Sequence, residues 1–334
     1  MKKAAMTLED VARASGLSRA QVSRALRGDP GVTAATRELA EAAAREIGYR
    51  PNLAARTLAS AHSTNIGIVI GEPLNPFHML LAQALDTRLA AIGYDAIVSL
   101  RAINDEAVLA ESNRLLSMRA RGVFLISTPQ SDEAVEAFSK ALPCIFLGRQ
   151  LPDLDVSAVS SDDEEASIRV IRHLIDLGHR RIAHIEGGDK AGARERKAGY
   201  QRIMRQMELP MIEIPGAHDI DSGRLGVERI LQEEDRPTAI FADNDLTAIG
   251  VINELNRRGI RVPQDISVVG YDDIPASGSE TISLTTLRQD PQAHAAAAIE
   301  LLTLILDQPS IRKRSRIIQS ELIARGSTAV CRGY

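Results

Sequence analysis

The sequence predicts an all-α helix-turn-helix head followed by an α/β body of two lobes, each a doubly wound parallel sheet. Three observations carry that expectation. Between Thr7 and Gly48, short helical patterns meet across a glycine turn. From Ile66 onward, apolar runs of four or five residues alternate with helical sequence, and these units are too numerous for one comfortable sheet. Charge divides the same way: up to Ala61 there are ten basic residues against six acidic ones, a net +4 in a chain of net −4, which leaves −8 on the remainder. A basic head on an acidic body fits phosphate contact confined to one end.

In the head, Leu8, Val11 and Ala12 give the first helix an apolar stripe. Ser15-Gly16-Leu17 is a turn of the length a helix-turn-helix needs. Ser18 followed three residues later by Gln21 reads as a capping box, so the second helix starts there. That helix turns Val22 and Leu26 inward and Arg19, Ala20, Ser23, Arg24 and Arg27 outward. Two small residues among three arginines suit a surface that approaches a groove closely. A third helix, Ala34 to about Ile47, opens behind Thr33 and stops at Gly48, with Pro51 just beyond. Pro51 to Ser60 is alanine-rich and helix-prone but too short to be stable alone, and the small polar run from Ala61 to Asn65 reads as a linker. This segment is expected to order only with a partner helix and DNA.

In the body, Ile66–Ile70, Ala96–Leu100, Gly122–Ile126 and Cys144–Leu147 read as one series of buried strands. Arg181–Ile185, Ala239–Ala242 and Ile266–Gly270 read as a second. Two lobes with a ligand crevice at the carboxyl ends of their strands follow from that arrangement.

Several functions are excluded. Cys144 and Cys331 make neither a disulfide framework nor a zinc site. Lys2-Lys3 precedes no apolar signal region and no run approaches membrane-spanning length, so a cytosolic protein without membrane contact is expected. Asp162-Asp163-Glu164-Glu165 and Asp272-Asp273 are carboxylate groupings of the kind hydrolases use. Yet there is no nucleophile elbow, P-loop or dinucleotide fingerprint, and His173, His179 and His184 share no ligand spacing with Cys or Glu. No enzyme, cofactor or metal is expected.

The runs T-L-E-D-V-A, S-G-L-S and Q-V-S-R-A-L resemble the DNA-binding headpiece of the lactose-repressor (LacI/GalR) family of bacterial transcription factors, and G-Y-R-P-N-L-A-A-R-T-L-A-S resembles that family's hinge helix. The resemblance implies a headpiece over residues 1–50, a hinge helix and linker over 51–62, and an effector-binding and dimerisation domain over 63–334. The last is similar to periplasmic sugar-binding proteins. Its N-lobe would take about 63–161 and 290–320 and its C-lobe about 162–289 and 321–334, with crossings near Ser160–Asp162, Leu287–Asp290 and Ser320. The function implied is an operator-binding repressor, homodimeric and nucleoid-associated in the cytoplasm, controlled by a sugar-like effector. Arg19, Ala20 and Arg24 are expected at base edges, and Gln21, Ser23 and Arg27 at phosphates. Asn52, Arg56 and Leu58 fall on the hinge, where Leu58 matches a leucine that levers open the minor groove. The last residues, Cys331 to Tyr334, carry no apolar heptad extension, which favours a dimer over a tetramer. The alternative is a solute-binding protein of the periplasmic type without DNA function.

For the effector, the resemblance singles out Phe77, Arg149, Arg196 (opening R-x-x-G-Y with Gly199 and Tyr200), Asn244 and Asp272, each just past a strand. His218 departs from the family pattern, which usually has Phe or Trp there to stack on a sugar or purine. An imidazole offers less apolar area and can carry charge. With Arg149 and Arg196, it points to an anionic or phosphorylated sugar rather than a neutral hexose.

Overall fold

The structure, a computed structural model, describes residues 6–49, 63–101, 104–128, 131–308, 310 and 313–331. The chain divides into two compact units at Ser63/Thr64. Asn52, Arg56 and Leu58, with the rest of the segment expected to form the hinge helix, lie outside the described residues.

The first unit holds three helices, α1 (Leu8–Ser15), α2 (Arg19–Arg27) and α3 (Ala34–Glu46). Capping fixes where each begins. Ser18 accepts from the Gln21 amide at 3.2 Å while Gln21 Oε1 accepts from the Ser18 amide at 3.0 Å. Thr7 and Asp10 form the same reciprocal box ahead of α1. The tight turn after α1 needs a left-handed residue, and Gly16 supplies it at φ 66°. Val11, Ala12, Val22, Ala43 and Ala44 form the core. Ala25, not Leu26, is the fully buried partner of Val22; Leu26 packs half-buried at the edge.

The second unit holds two six-stranded sheets. In the first, β1 (Asn65–Ile70), β2 (Asp95–Ser99), β3 (Gly122–Ile126), β4 (Cys144–Gly148), β5 (Ser157–Ser161) and β11 (Ser315–Ile318) lie in the order β11-β5-β4-β3-β1-β2, every pair parallel. The second contains β6 (Ile182–Ile185), β7 (Met211–Ile214), β8 (Ala239–Ala242), β9 (Ser267–Asp272), β10 (Thr285–Arg288) and β12 (Glu321–Ile323), ordered β12-β10-β9-β8-β6-β7, with only β12 antiparallel. Helices cover both faces of each, as buried parallel strands require. In the first lobe α4 (Pro76–Ala91) and α11 (Pro291–Asp307) pack together on one face, and α5 (Asp105–Ser117) and α6 (Asp132–Ala141) on the other. In the second lobe α7 (Asp163–Asp176) pairs with α8 (Ala193–Gln206), and α9 (Ile220–Ile230) with α10 (Asp245–Arg257). The period of two is visible in β1: Ile66, Ile68 and Ile70 enter the α4/α11 core and Val69 the opposite one.

The chain passes between the sheets three times: from β5 into α7, from β10 into α11, and from β11 into β12. The passages are hydrogen-bonded to one another. Ser161 Oγ donates to Gln289 Oε1 at 2.6 Å, and Asp162 Oδ1 accepts from the Ser320 amide at 2.8 Å. In each sheet the strand order reverses beside the first strand of the lobe, between β1 and β3 and between β6 and β8. Crevices at the carboxyl ends open there.

Helices α9 and α10 touch backbone to backbone. A Cβ on Gly250 would collide with the Ile220 carbonyl, and one on Gly223 with the Thr247 carbonyl. In an exposed helix, alanine would be the better residue. Here Gly250→Ala is expected to destabilise the protein by about 1–3 kcal/mol through overpacking, read as a lower urea midpoint.

Candidate functional site

Two surfaces gather the residues singled out above. On the head, α2 presents Arg19, Ala20, Gln21, Arg24 and Arg27 to solvent, with Ser23 partly covered. Arg27 donates to Ser23 Oγ at 2.7 Å and to Asp29 Oδ2 at 2.9 Å; Arg24 Nε lies 3.8 Å from the same carboxylate. Exposed pairs of this kind are weak and exchange readily for other anions. Gln21 Oε1 is engaged in the cap, so its carbonyl end belongs to the fold.

The second surface is the seam where the two sheets end their strands. Asp243, just past β8, is fully buried and serves as its centre. Its carbonyl accepts from Arg196 Nη1 at 2.7 Å, and its Oδ2 receives His218 Nε2. Arg196, from the first turns of α8, also donates Nε to Asp163 Oδ1 at 2.9 Å and lies with Cζ 3.7 Å from the Tyr271 ring centre. From the other lobe, Glu72 Oε2 stands 3.5 Å from His218 Nδ1. Burial pulls the His218 imidazole down, but Asp243 and Glu72 outweigh it and hold it up at about 9. Burial likewise raises Asp163, opposed by Arg196.

Asp272 ends β9 in the same seam, accepting from Asn75 Nδ2 at 3.0 Å and Gln289 Nε2 at 2.6 Å. Its neighbour Asp273 turns the other way, to Arg288 at 2.7 Å and Arg325 at 2.6 Å. Asp245, the first residue of α10, is raised to about 7 by burial and then by Asp272. Phe77 lies buried at the start of α4, edge-on to His294 at 5.9 Å between ring centres. The cavity among Phe77, His78, Ser127, Ser161, Arg196 and Gln289 is about 20 Å³, room for roughly one water.

The structure therefore brings Phe77, Arg196, His218 and Asp272 together, and it modifies the other two assignments. Asn244 has both ends of its amide committed inside the lobe: it caps α10 through Thr247 and donates to the His218 carbonyl at 3.1 Å. Arg149 sits at the rim over Phe146 and pairs with Asp132 at 2.6 Å. Each cation expected to attract an anion thus already has a carboxylate. Glu72, Asp163, Asp243 and Gln289 were not read from the sequence as part of this site. The one local signal was Asp243 standing directly before Asn244 at a strand end.

The model of "Bacterial regulatory proteins, lacI family" matches residues 7–52, and that of the "Periplasmic binding protein-like domain" matches residues 171–328. Catabolite control protein A of Priestia megaterium is 31% identical over 92% of this chain and 94% of its own length. The chain belongs to the lacI family. The ribose operon repressor of Escherichia coli (strain K12) is 30% identical over 96% of this chain and 99% of its own. Among solved structures, the lac repressor dimer bound to operator and the anti-inducer ONPF has a TM-score of 0.86 at 28% identity, covering 97% of this chain and 99% of that one. This lacI-family chain is thus a DNA-binding regulator of transcription with an effector-binding body. Among the described residues no helix is long and apolar enough to cross a membrane, and no group of three His, Cys, Asp or Glu could hold a metal ion.

Asp243→Ala leaves Arg196 and His218 short of a buried counter-charge. It is expected to cost about 3–5 kcal/mol in chemical denaturation, whereas Glu136→Gln, breaking an exposed pair with Lys140, should leave the curve unchanged.

Proposed function

We propose that the chain is a cytoplasmic, homodimeric repressor that reads a roughly palindromic operator with α2 and releases or tightens its grip when a sugar-like effector occupies the interlobe cleft. The observation that carries this is the exposed arginine face of α2 on a capped, closely packed three-helix head. Arg19, Ala20 and Arg24 face base edges, and Ser23 and Arg27 hold phosphates. Gln21 contributes through its free amide end. Asn52, Arg56 and Leu58 extend the contact into the minor groove. Relatives such as the ribose operon repressor are repressors rather than enzymes, and the cleft is a binding site rather than a catalytic one.

For the effector, Arg196, His218 and Asp272 form the polar floor and Phe77 an apolar wall, with Asn244 behind His218 and Arg149 at the mouth. Glu72, Asp163, Asp243 and Asp272 outnumber Arg196 and His218. That balance favours a neutral ligand bringing hydroxyl donors over the anionic sugar that the sequence suggested. A thermal-shift panel checks it: neutral pentoses and hexoses should include stabilising ligands, while their phosphates and uronates do not shift the transition.

The DNA reading is tested by selection from random duplexes, which should return a twofold-symmetric site. Arg24→Ala is expected to weaken operator binding by about 1–3 kcal/mol and relax specificity at one position of each half-site, with less effect on random DNA. Protein lacking residues 1–62 should keep its ligand and lose the operator. A pure solute-binding protein would show no duplex preference at all.

A further inference from the structure

The two lobes are joined across the cleft by an ion pair between Glu72 and His218. Glu72 follows β1 in the first lobe and His218 precedes α9 in the second, with Glu72 Oε2 3.5 Å from His218 Nδ1. The other ring nitrogen, Nε2, is on Asp243 Oδ2. A neutral imidazole has one N–H and could serve only one of these carboxylates; the imidazolium serves both. The surroundings are shaped for that ring. His218 holds a left-handed backbone at φ 62°, which persists in a non-glycine residue only where neighbours enforce it. Asn244 Nδ2 fixes its carbonyl at 3.1 Å. Gly187 lies so close that a Cβ there would collide with both His218 Nε2 and Asp243 Oδ2. His218 is buried and Glu72 is largely covered, with side chains 5% and 12% exposed, so water competes poorly for the pair.

We propose that Glu72 and His218 form a charge latch that holds the two lobes together before any ligand arrives, so that an effector must insert into the pair or replace one member of it to move the lobes. The latch exists whether or not the cleft takes a sugar; only its regulatory meaning rests on the function proposed above. It acts beside a second interlobe bond, Asn75 to Asp272 at 3.0 Å, and the seating of Ile274 in the first lobe's core. It is the one of these three in which both partners carry charge.

The groups facing His218 are Asp243 and Arg196 from its own lobe and Glu72 and His78 from the other; Lys190 faces Glu72, and His184 stands 3.5 Å behind Asp243. Burial opposes both charges, yet His218 is held at about 9 by Asp243 and Glu72, and Glu72 is drawn to about 2 by His218, His78 and Lys190. The folded-state value of His218 is raised. Its contribution is therefore complete below its ordinary 6.5 and disappears as pH rises through about 9.

The test uses full-length, ligand-free protein as wild type, Glu72→Gln, His218→Gln and the double variant. At pH 7 each single change should lower Tm by about 2–4 °C. It should also speed amide exchange about fivefold or more in both segments 71–78 and 216–219, whichever one carries the substitution. The double variant should be no worse than the weaker single one, and the wild-type advantage over Glu72→Gln should vanish at pH 10. Additive losses, exchange rising only in the substituted segment, or an undiminished advantage at pH 10 would each overturn the latch. Should His218→Gln fail to fold, the Glu72→Gln comparison across pH and its exchange pattern decide alone.

Discussion

Asp243 stands just past the end of its strand in the seam between the lobes with no solvent around it, and that placement dictates what surrounds it. An ionised carboxylate in such a setting has to be met by cations and hydrogen bonds. Arg196 and His218 meet it, and each brings a requirement of its own. The guanidinium takes a second carboxylate, Asp163 at the start of α7, and the face of Tyr271. The imidazole takes Glu72 from across the seam. Around this centre a second chain of bonds runs from Asn75 through Asp272, Gln289 and Ser161 to His294. Two of the passages between lobes lie on that chain. A ligand competing for Asp272 would therefore act directly on the segments that connect the lobes.

The adjacent aspartates show how a carboxylate grouping loses its catalytic look once the backbone is known. Asp272 and Asp273 both adopt positive φ, 118° and 58°, and the chain turns so that their side chains diverge. One faces the cleft and the other binds Arg288 and Arg325. They share no proton and no substrate position. Asp162 and Asp163 divide similarly, the first stitching Ser320 and Arg169, the second receiving Arg196.

Much of this was legible in the chain, for reasons that can be named. Ile66 to Ile70 is apolar on both faces because both faces are covered. Ser18 and Gln21 announce a helix start by the bonds they can make. R-x-x-G-Y marks the α8 site physically: Gly199 lets α8 approach α7, where a Cβ would collide with the Glu164 carbonyl, and Tyr200 anchors its hydroxyl on the Ile182 carbonyl at 2.9 Å. Two of the strands that escaped notice are buried through hydrogen bonds rather than apolar area. Ser157–Ser161 is buried throughout, yet three of its residues are serine. Ser157 accepts from the Arg314 amide and Ser161 reaches Gln289. Thr285 and Thr286 in β10 are bonded likewise, to Thr328 and Asp245. β7 and β12 are short, half-exposed edges with little pattern to read. The partner Glu72 left no local sign and Asp243 only its place at a strand end, because their meaning comes from residues far along the chain.

The interleaved path of the body also sets an order of assembly. The first lobe receives β1 to β5 early, but α11, which covers α4 with Ala295, Ala298, Leu301 and Leu302, and the edge strand β11 arrive only after the whole series from α7 to β10. A nascent chain leaving the ribosome must carry an uncovered apolar face on α4 through the synthesis of nearly the entire second lobe. During that interval it is a natural client for a chaperone. The lobe translated first is thus completed only after most of the second has been made.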